Sequence, residues 1–367
     1  MSTPPATMRA VVVDPPRPID AVRHSRVPVP DPSDRQVLVK VHATTVISSE
    51  LASVAGVSMA ELPLILGNDF VGIVVESPGG QIPVGTRVVG AYGGYGYTRD
   101  GAWAEYICVD AADAWPVTST LDSQLLAAIP GSFTAAAGSL HALGPVKGQT
   151  LLIRGGTSGV GLAVATLALA EGATVISTTR NPDKVDRLLD HGVHHVLIDD
   201  ADLGRQLRTV APAGADLAVE LLGVFALPKT LRLVREYGVV CLTGLLADQT
   251  QSRNTGQRED RSAHSFPHPM EIIPPTIRLT SGGAAGSPRT AAMIQDWVDG
   301  VESGRYRMPI DSVFGLDDLG NAYERRADPN SFGKIVISVA PDHPGTPGRT
   351  SSDSSESPSN NLRMASR

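Results

Sequence analysis

The chain has 367 residues, of which 42% are hydrophobic and 19% are charged, and its formal net charge at pH 7 is -7. This length predicts about two domains with sizeable apolar cores, and the acidic balance provides no general attraction to nucleic acid or to an anionic membrane. The two cysteines, Cys108 and Cys241, are too few for a disulfide framework or a four-cysteine zinc lobe, so each is expected to be a small buried hydrophobe.

No stretch of the sequence stays apolar over the roughly 18 residues that a membrane span needs, and residues 1–7 show no hydrophobic signal-peptide region. The expected location is therefore the cytoplasm. Neither a membrane nor a nucleic acid is expected as a partner.

The first third of the chain contains short apolar or alternating segments between turns that are rich in proline and aspartate. They are Met8 to Val13, Val37 to Val41, Gly72 to Glu76 and Arg87 to Gly90. Segments of this kind are typical of β-strands. We therefore predict a mostly β domain over residues 1–123.

The most specific local pattern lies at Thr150 to Ala170, which contains an apolar strand, a turn of small residues and a helix. In the Gly-x-Gly-x-x-Gly fingerprint the aligned positions are Gly156, Ser158 and Gly161, so a serine replaces the middle glycine. The amides and the dipole of the first helical turn favour a pyrophosphate, although a tight turn without a ligand has the same pattern. The cofactor-binding residues predicted here are Gly156, Thr157, Ser158, Gly159, Val160 and Gly161.

Further apolar segments follow this turn and alternate with helical ones. They are residues 173–178, 195–198, 216–220 and 238–243. A helix is expected over residues 227–235. Alternating strands and helices build a parallel sheet covered on both faces, so we predict an α/β fold with a Rossmann doubly wound sheet over residues 124–275. This context favours a bound dinucleotide over an empty turn.

The last part of the chain is expected to return to the first domain. The segment Ile277 to Thr280, a helix around Ala291 to Val301 and a strand at Lys334 to Val339 are assigned to a β domain that resumes over residues 276–340 and is therefore discontinuous. Two polar stretches complete the prediction. Residues 249–264 are expected to form a surface insertion, and residues 341–367 a disordered tail.

Five segments together resemble the medium-chain dehydrogenase/reductase superfamily, in its zinc-independent quinone-oxidoreductase and enoyl-reductase branch. They are Leu66 to Gly72, Gly85 to Gly90, Gly101 to Tyr106, Gly155 to Gly161 and Gly333 to Val336. The resemblance implies a GroES-like β domain formed from both chain ends, a Rossmann domain between them and a cofactor cleft where they meet. It also implies further cofactor contacts at Thr134, Thr243, Leu279 and Lys334, and a homodimer that pairs through an edge strand of the Rossmann sheet.

The end of the second Rossmann strand indicates which dinucleotide is bound. Enzymes that use NAD place an acid about 20 positions beyond the glycine turn, and this chain has none there. It has Thr178, Arg180 and Lys184 instead, which suit a 2'-phosphate and predict NADPH. Two acids nearby, Asp183 and Asp199, act against this prediction.

The residue types at the expected metal positions are wrong for zinc. Zinc members of the superfamily place a cysteine after the strand that here ends near Thr44, and a Gly-His-Glu where this chain has Gly67 to Asp69. Val46, Ile47 and Asn68 are poor zinc ligands. No metal is therefore predicted, and the hydride acceptor must be one that needs no Lewis acid.

A quinone or an α,β-unsaturated carbonyl compound meets that need, because negative charge spreads onto an oxygen as the hydride arrives. Two alternatives stay open. One is an enoyl-thioester reductase of polyketide or fatty-acyl chains, and the other is an NADPH-binding protein without appreciable catalysis.

The proton donor is not identified by the resemblance. Related enoyl-thioester reductases carry a tyrosine just after the glycine aligned with Gly56, where this chain has Val57. The candidates are Tyr95, in a loop that also holds Tyr92 and Tyr97, and Glu50.

Overall fold

The computed structural model describes residues 3–14, 22–54, 60, 62–244, 269–284, 287 and 289–340. The strands are β1 (Thr7–Val13), β2 (Val22–Pro28), β3 (Gln36–Val46), β4 (Leu64–Ile65), β5 (Asp69–Glu76), β6 (Arg87–Ala91), β7 (Tyr106–Asp110), β8 (Trp115–Pro116), β9 (Thr150–Arg154), β10 (Thr174–Thr179), β11 (His195–Ile198), β12 (Ala215–Glu220), β13 (Val234–Leu242), β14 (Arg278–Ser281), β15 (Ile310–Gly315) and β16 (Lys334–Ser338). The α-helices are α1 (Ser48–Val54), α2 (Ser123–Ala128), α3 (Pro130–Leu143), α4 (Gly159–Ala170), α5 (Val185–Asp190), α6 (Leu203–Val210), α7 (Leu227–Thr230), α8 (Pro269–Ile272), α9 (Ala291–Glu302) and α10 (Leu319–Ala327).

Six strands form a parallel sheet in the order β11-β10-β9-β12-β13-β14. Both faces of this sheet are covered. On β9, Leu151 and Ile153 pack into one core cluster with α3 and α4, whereas Leu152 packs into a second cluster with α6 and α7. This arrangement confirms the predicted Rossmann doubly wound sheet.

The remaining strands form a β domain from two parts of the chain. One sheet has the order β15-β16-β3-β5-β6-β8, with β7 also paired to β3, and a smaller sheet has the order β2-β1-β4. The C-terminal strand β16 runs antiparallel to β3, with Ile335 opposite Val46. The β domain is therefore discontinuous.

Two details of the predicted organisation are wrong. The return to the β domain was expected at residue 276, but β14 runs parallel to β13 and completes the Rossmann sheet, with Leu279 opposite Val240. The helix expected over residues 227–235 is only the single turn of α7, because Val234 already pairs with Ala215 as the first residue of β13.

Contrary to the prediction that no stretch is apolar over about 18 residues, Ser123–Leu143, which contains α2 and α3, is long and apolar enough to cross a membrane by composition alone. It belongs to the core instead, because 78% of its apolar window is buried inside the molecule. The predicted insertion at 249–264 and the predicted tail at 341–367 lie outside the described residues.

Candidate active site

The glycine turn connects β9 to α4 as the sequence pattern predicts. Ser158 occupies the N-cap of α4, where its Oγ accepts from the amide of Gly161 at 3.1 Å and donates to the carbonyl of Gly155 at 2.8 Å. The serine in the middle of the fingerprint is therefore a helix cap. The amides of Gly159 and Val160 lie in the first turn, where they have no intrahelical acceptor and are available to an anion.

The outer glycines of the fingerprint are required by the packing of the turn itself. A Cβ on Gly161 would lie 2.6 Å from the carbonyl oxygen of Gly155, and a Cβ on Gly156 would lie 1.7 Å from the hydroxyl of Ser177. Any larger residue at either position would push the turn off the sheet.

The β domain meets the Rossmann domain at this turn. The amide of Gly333 donates to the carbonyl of Thr157 at 3.1 Å, and Gly333 also forms a parallel bridge with Ser158. The side chain of Lys334 then passes the start of α4, so closely that a Cβ on Gly159 would lie 2.7 Å from its Cδ. The predicted cofactor residues of the turn and Lys334 are thus brought together.

Lys334 ends in a buried ion pair. Its Nζ lies 2.7 Å from Oδ2 of Asp69, and the two residues are only 4% and 1% exposed. The same oxygen accepts from the hydroxyl of Thr45 at 2.7 Å, and Oδ1 accepts from the side-chain amide of Asn68 at 3.1 Å. The buried carboxylate of Asp69 is therefore neutralised by a lysine.

Glu50 lies beside this pair and is completely buried. Its two carboxyl oxygens accept from the amides of Ile47 and Asn68, each at 2.8 Å, so the side chain joins the start of α1 to the segment before β5. Burial raises the pKa of Glu50 to about 8, and these two amide hydrogen bonds oppose the rise. The geometry supports a positioning role, and a catalytic role for Glu50 stays a prediction.

Thr134 supplies a buried hydroxyl next to the same cluster. Its Oγ1 is enclosed within α3 and has no hydrogen-bond partner among the residues that the structure describes. One turn earlier, α3 lies so close to the ion pair that a Cβ on Gly131 would be 2.0 Å from Oδ1 of Asp69. Because buried hydroxyls are normally paired, Thr134 fits a polar group of a bound cofactor.

The two other contacts implied by the resemblance differ in their location. Thr243 follows β13, and its hydroxyl lies 2.8 Å from that of Ser139 on α3, the helix that carries Thr134. Leu279 packs with Val240 in the cluster on the opposite face of the sheet. The structure thus brings Thr243 toward α3 and does not bring Leu279 there.

The end of β10 presents the residues predicted to select the dinucleotide. The hydroxyl of Thr178 accepts from the amide of Gly155 at 3.3 Å, so it supports the turn. Arg180 is exposed and forms no hydrogen bond or ion pair with another described residue. It is therefore available to a ligand.

Lys184 is less accessible than the sequence suggests. It is 6% exposed, and its Nζ donates to the carbonyl of Ser331 at 2.6 Å, just before β16. Burial lowers the pKa of this ammonium to about 8. The charge of Asp311 opposes this shift, and the guanidiniums of Arg187, Arg326 and Arg180 add to it. The positive charges crowd at this edge of the cleft, and an anion bound there would relieve their repulsion.

The structure contains a buried ionic network at the ends of the Rossmann strands that was not predicted from the sequence. Arg154, the last residue of β9, makes a bidentate pair with Asp199 at 2.9 and 2.8 Å and contacts Glu220 at 3.2 Å. Asp199 also lies 3.4 Å from the ammonium of Lys229. A signal was available, because charged residues at the carboxyl ends of neighbouring parallel strands meet at one edge of the sheet. Asp199 is thereby neutralised.

The tyrosines of the glycine-rich loop occupy different places. The hydroxyl of Tyr95 accepts from the amide of Asp110 at 2.8 Å inside the β-domain core, and Tyr95 is only 1% exposed. The structure therefore contradicts the prediction that Tyr95 acts on a substrate, since nothing can reach its hydroxyl without unpacking the core. Tyr92 instead donates to the carbonyl of Gly131 on α3 at 2.9 Å, and Tyr97 is half-buried.

The glycine turn at the start of α4, with the second domain in contact beside it, is the arrangement of two-domain proteins that bind a dinucleotide. Two family profiles match the chain, "Alcohol dehydrogenase GroES-like domain" over residues 33–119 and "Zinc-binding dehydrogenase" over residues 159–262. The quinone oxidoreductase of Rattus norvegicus is 32% identical over 310 residues, which cover 82% of this chain and 88% of the rat protein. The chain belongs to the medium-chain dehydrogenase/reductase superfamily, as predicted.

Other similar proteins support the same placement. The human quinone oxidoreductase is 28% identical over 307 residues, with 82% of this chain and 88% of that protein covered. The structure of the quinone oxidoreductase from Coxiella burnetii has a TM-score of 0.74 and 20% identity, and covers 91% of this chain and 99% of its own. A putative alcohol dehydrogenase from Sinorhizobium meliloti has a TM-score of 0.75 and 24% identity, and covers 91% and 97%. At these identities the two solved structures show the fold alone.

Proposed function

We propose that the protein is a zinc-independent, NADPH-dependent reductase that transfers a hydride to a quinone or to an α,β-unsaturated carbonyl compound. The observation that carries this proposal is the buried pair of Lys334 and Asp69. An ammonium 2.7 Å from the carboxylate opposes a divalent cation at that position, because it repels the metal and occupies its ligand.

The residues around this pair supply no substitute ligand set. Asn68 uses its side-chain amide on Asp69, and its Oδ1 accepts from the amide of Tyr92 at 3.1 Å. Within the described part of the chain, no three His, Cys, Asp or Glu side chains are grouped closely enough to hold a metal ion. The donor types and their existing bonds therefore argue against zinc chemistry here.

We infer that the cofactor lies between the glycine turn and α3. The first-turn amides of α4 would hold its pyrophosphate, and Thr134 would hydrogen-bond a polar group at the nicotinamide end. When bound, NADPH supplies the hydride. A quinone or enone accepts it without metal assistance, because the resulting negative charge is delocalised onto an oxygen.

A test of the metal-free proposal measures zinc and turnover in the same preparation. Purified protein should contain no stoichiometric zinc, and incubation with a strong chelator should leave NADPH oxidation unchanged. A zinc content near one per chain, with activity that is lost on chelation and restored by zinc, would contradict the proposal.

The choice of NADPH rests on Arg180 and on the pairing of Asp199 with Arg154 and Lys229. Replacing Arg180 with alanine should weaken NADPH binding by about 1.5–3 kcal/mol, the range for a hydrogen bond to a charged group, and should barely change NADH binding. Calorimetric titration of both dinucleotides would measure this difference. Arg208→Ala, an exposed arginine on α6, is the matched control.

Equal losses for NADPH and NADH in Arg180→Ala would show that Arg180 does not contact a 2'-phosphate. Tighter NADH than NADPH binding by the unchanged protein would lead to the same conclusion.

A further inference from the structure

The hydroxyl of Tyr97 forms a hydrogen bond with a second hydroxyl, that of Ser49. Its Oη lies 2.5 Å from Oγ of Ser49, the second residue of α1. The loop that carries Tyr97 sits directly on the segment before β5, since a Cβ on Gly96 would be 3.1 Å from the amide nitrogen of Gly67. The loop therefore holds Tyr97 near the segment that leads into Asp69, whose charge acts on its hydroxyl.

The surroundings of Tyr97 keep its proton on the oxygen. Burial raises the pKa of Tyr97 to about 12, and the negative charges of Glu50 and Asp69 contribute to the rise, while the hydrogen bond with Ser49 opposes it. At neutral pH the phenol is thus protonated and holds a proton that it can give. Both Tyr97 and Ser49 are only partly buried.

The other loop tyrosines do not offer the same arrangement. Tyr95 has its hydroxyl inside the β-domain core, on the amide of Asp110. Tyr92 donates a hydrogen bond to the carbonyl of Gly131. To act as an acid it would have to break that bond and leave the carbonyl unpaired. Among the three, Tyr97 alone combines partial exposure with a hydroxyl acceptor, Ser49, that can also donate.

We propose that Tyr97 is the proton donor of the reaction and that Ser49 resupplies its proton, an inference that rests on the proposed reductase function. The acceptor gains a hydride at carbon, and its π electrons move onto the carbonyl oxygen. The Oη–H bond of Tyr97 breaks as the new O–H bond forms on that oxygen. Ser49 passes its own proton to the tyrosinate and takes one from water, so the net uptake is one hydride and one proton.

This pair replaces a group that the chain lacks. Related enoyl-thioester reductases carry a tyrosine after the glycine aligned with Gly56, and this chain has Val57 there, outside the described residues. Tyr97, in the loop after β6, would supply the phenol that Val57 lacks.

Replacing Tyr97 with phenylalanine tests the donor. With a conjugated enone as substrate, kcat should fall about 100-fold, within the range contributed by a positioned general acid, and NADPH affinity should stay unchanged. The solvent isotope effect on kcat should change with it. Tyr95→Phe is the matched control from the same loop, and it should retain its kcat because its hydroxyl is enclosed in the core.

A second measurement uses the protein without cofactor. With ¹³Cζ-labelled tyrosine, the resonance that is missing in Tyr97→Phe is assigned to Tyr97, and Ser49→Ala should shift it at neutral pH by removing its hydrogen-bond partner. An unmoved resonance would show that the two hydroxyls are not coupled.

The inference is overturned if Tyr97→Phe keeps kcat within about threefold of the unchanged protein, or if Tyr95→Phe loses as much activity as Tyr97→Phe. The proposed function fails separately if no quinone and no enone supports NADPH oxidation by the unchanged protein.

Discussion

Replacing Arg154 with alanine is expected to lower the free energy of unfolding by about 3–5 kcal/mol, which is the usual cost of removing one partner from a buried ion pair. The arginine is 3% exposed and pairs with two buried carboxylates, those of Asp199 and Glu220. It also donates to the hydroxyl of Thr230 at 2.8 Å. Without it, Glu220 would lose its paired cation and Asp199 would keep only the partly exposed Lys229. Denaturant unfolding of the two proteins measures the difference.

The matched control is Arg205→Ala. Arg205 pairs with Asp202 at 2.6 Å on the surface of α6, and both side chains are more than half exposed. Exposed pairs contribute about 0–1 kcal/mol, so this variant should unfold almost like the unchanged protein. A loss below about 1 kcal/mol for Arg154→Ala would show that the network is not a stabilising element.

Replacing Lys334 with methionine is expected to have a comparable effect, again about 3–5 kcal/mol, because it leaves Asp69 charged and buried without its cation. Methionine retains much of the length of the lysine stem, so little packing is lost. The measurement is the midpoint and slope of urea unfolding, compared with Lys334→Arg, which keeps the charge.

A double variant distinguishes the stability lost with the ion pair from the stability lost through changed packing at this site. Combining Lys334→Met with Asp69→Asn removes both charges, and it should recover part of the stability that Lys334→Met alone loses. Asp69→Asn alone gives the reference loss of stability. If the same substitution destabilises Lys334→Met by as much as it destabilises the unchanged protein, the two side chains do not interact energetically.

The parts of the fold that were predictable depend on short stretches of sequence. The strand, small-residue turn and helix over Thr150 to Ala170 are specified within about 20 residues, and the match to a dinucleotide turn follows from that spacing. The boundary error at β14 has the opposite origin. Four apolar and polar residues at Arg278–Ser281 fit an edge strand of either domain, and only the pairing with β13 decides between them.

The candidate site was harder to predict because its contacts are distant in sequence. Lys334 and Asp69 are separated by 265 positions, and Arg154 and Glu220 by 66. The prediction of Tyr95 as a proton donor was wrong for another reason. Gly93 and Gly96 have φ values of 72° and 76°, so the side chains between them do not follow the alternation of a strand, and the pattern could not separate Tyr95 from its neighbours.

The central claim is tested most directly by the rate of NADPH oxidation in metal-depleted protein with three acceptor classes, a quinone, a conjugated enone and a pantetheine-bound enoyl thioester. We expect turnover with a quinone or an enone, a kcat/KM for NADPH at least about tenfold above that for NADH, and a weaker response to the thioester. Turnover of the enoyl thioester alone, a requirement for added zinc, or tight NADPH binding without oxidation by any acceptor would contradict the account.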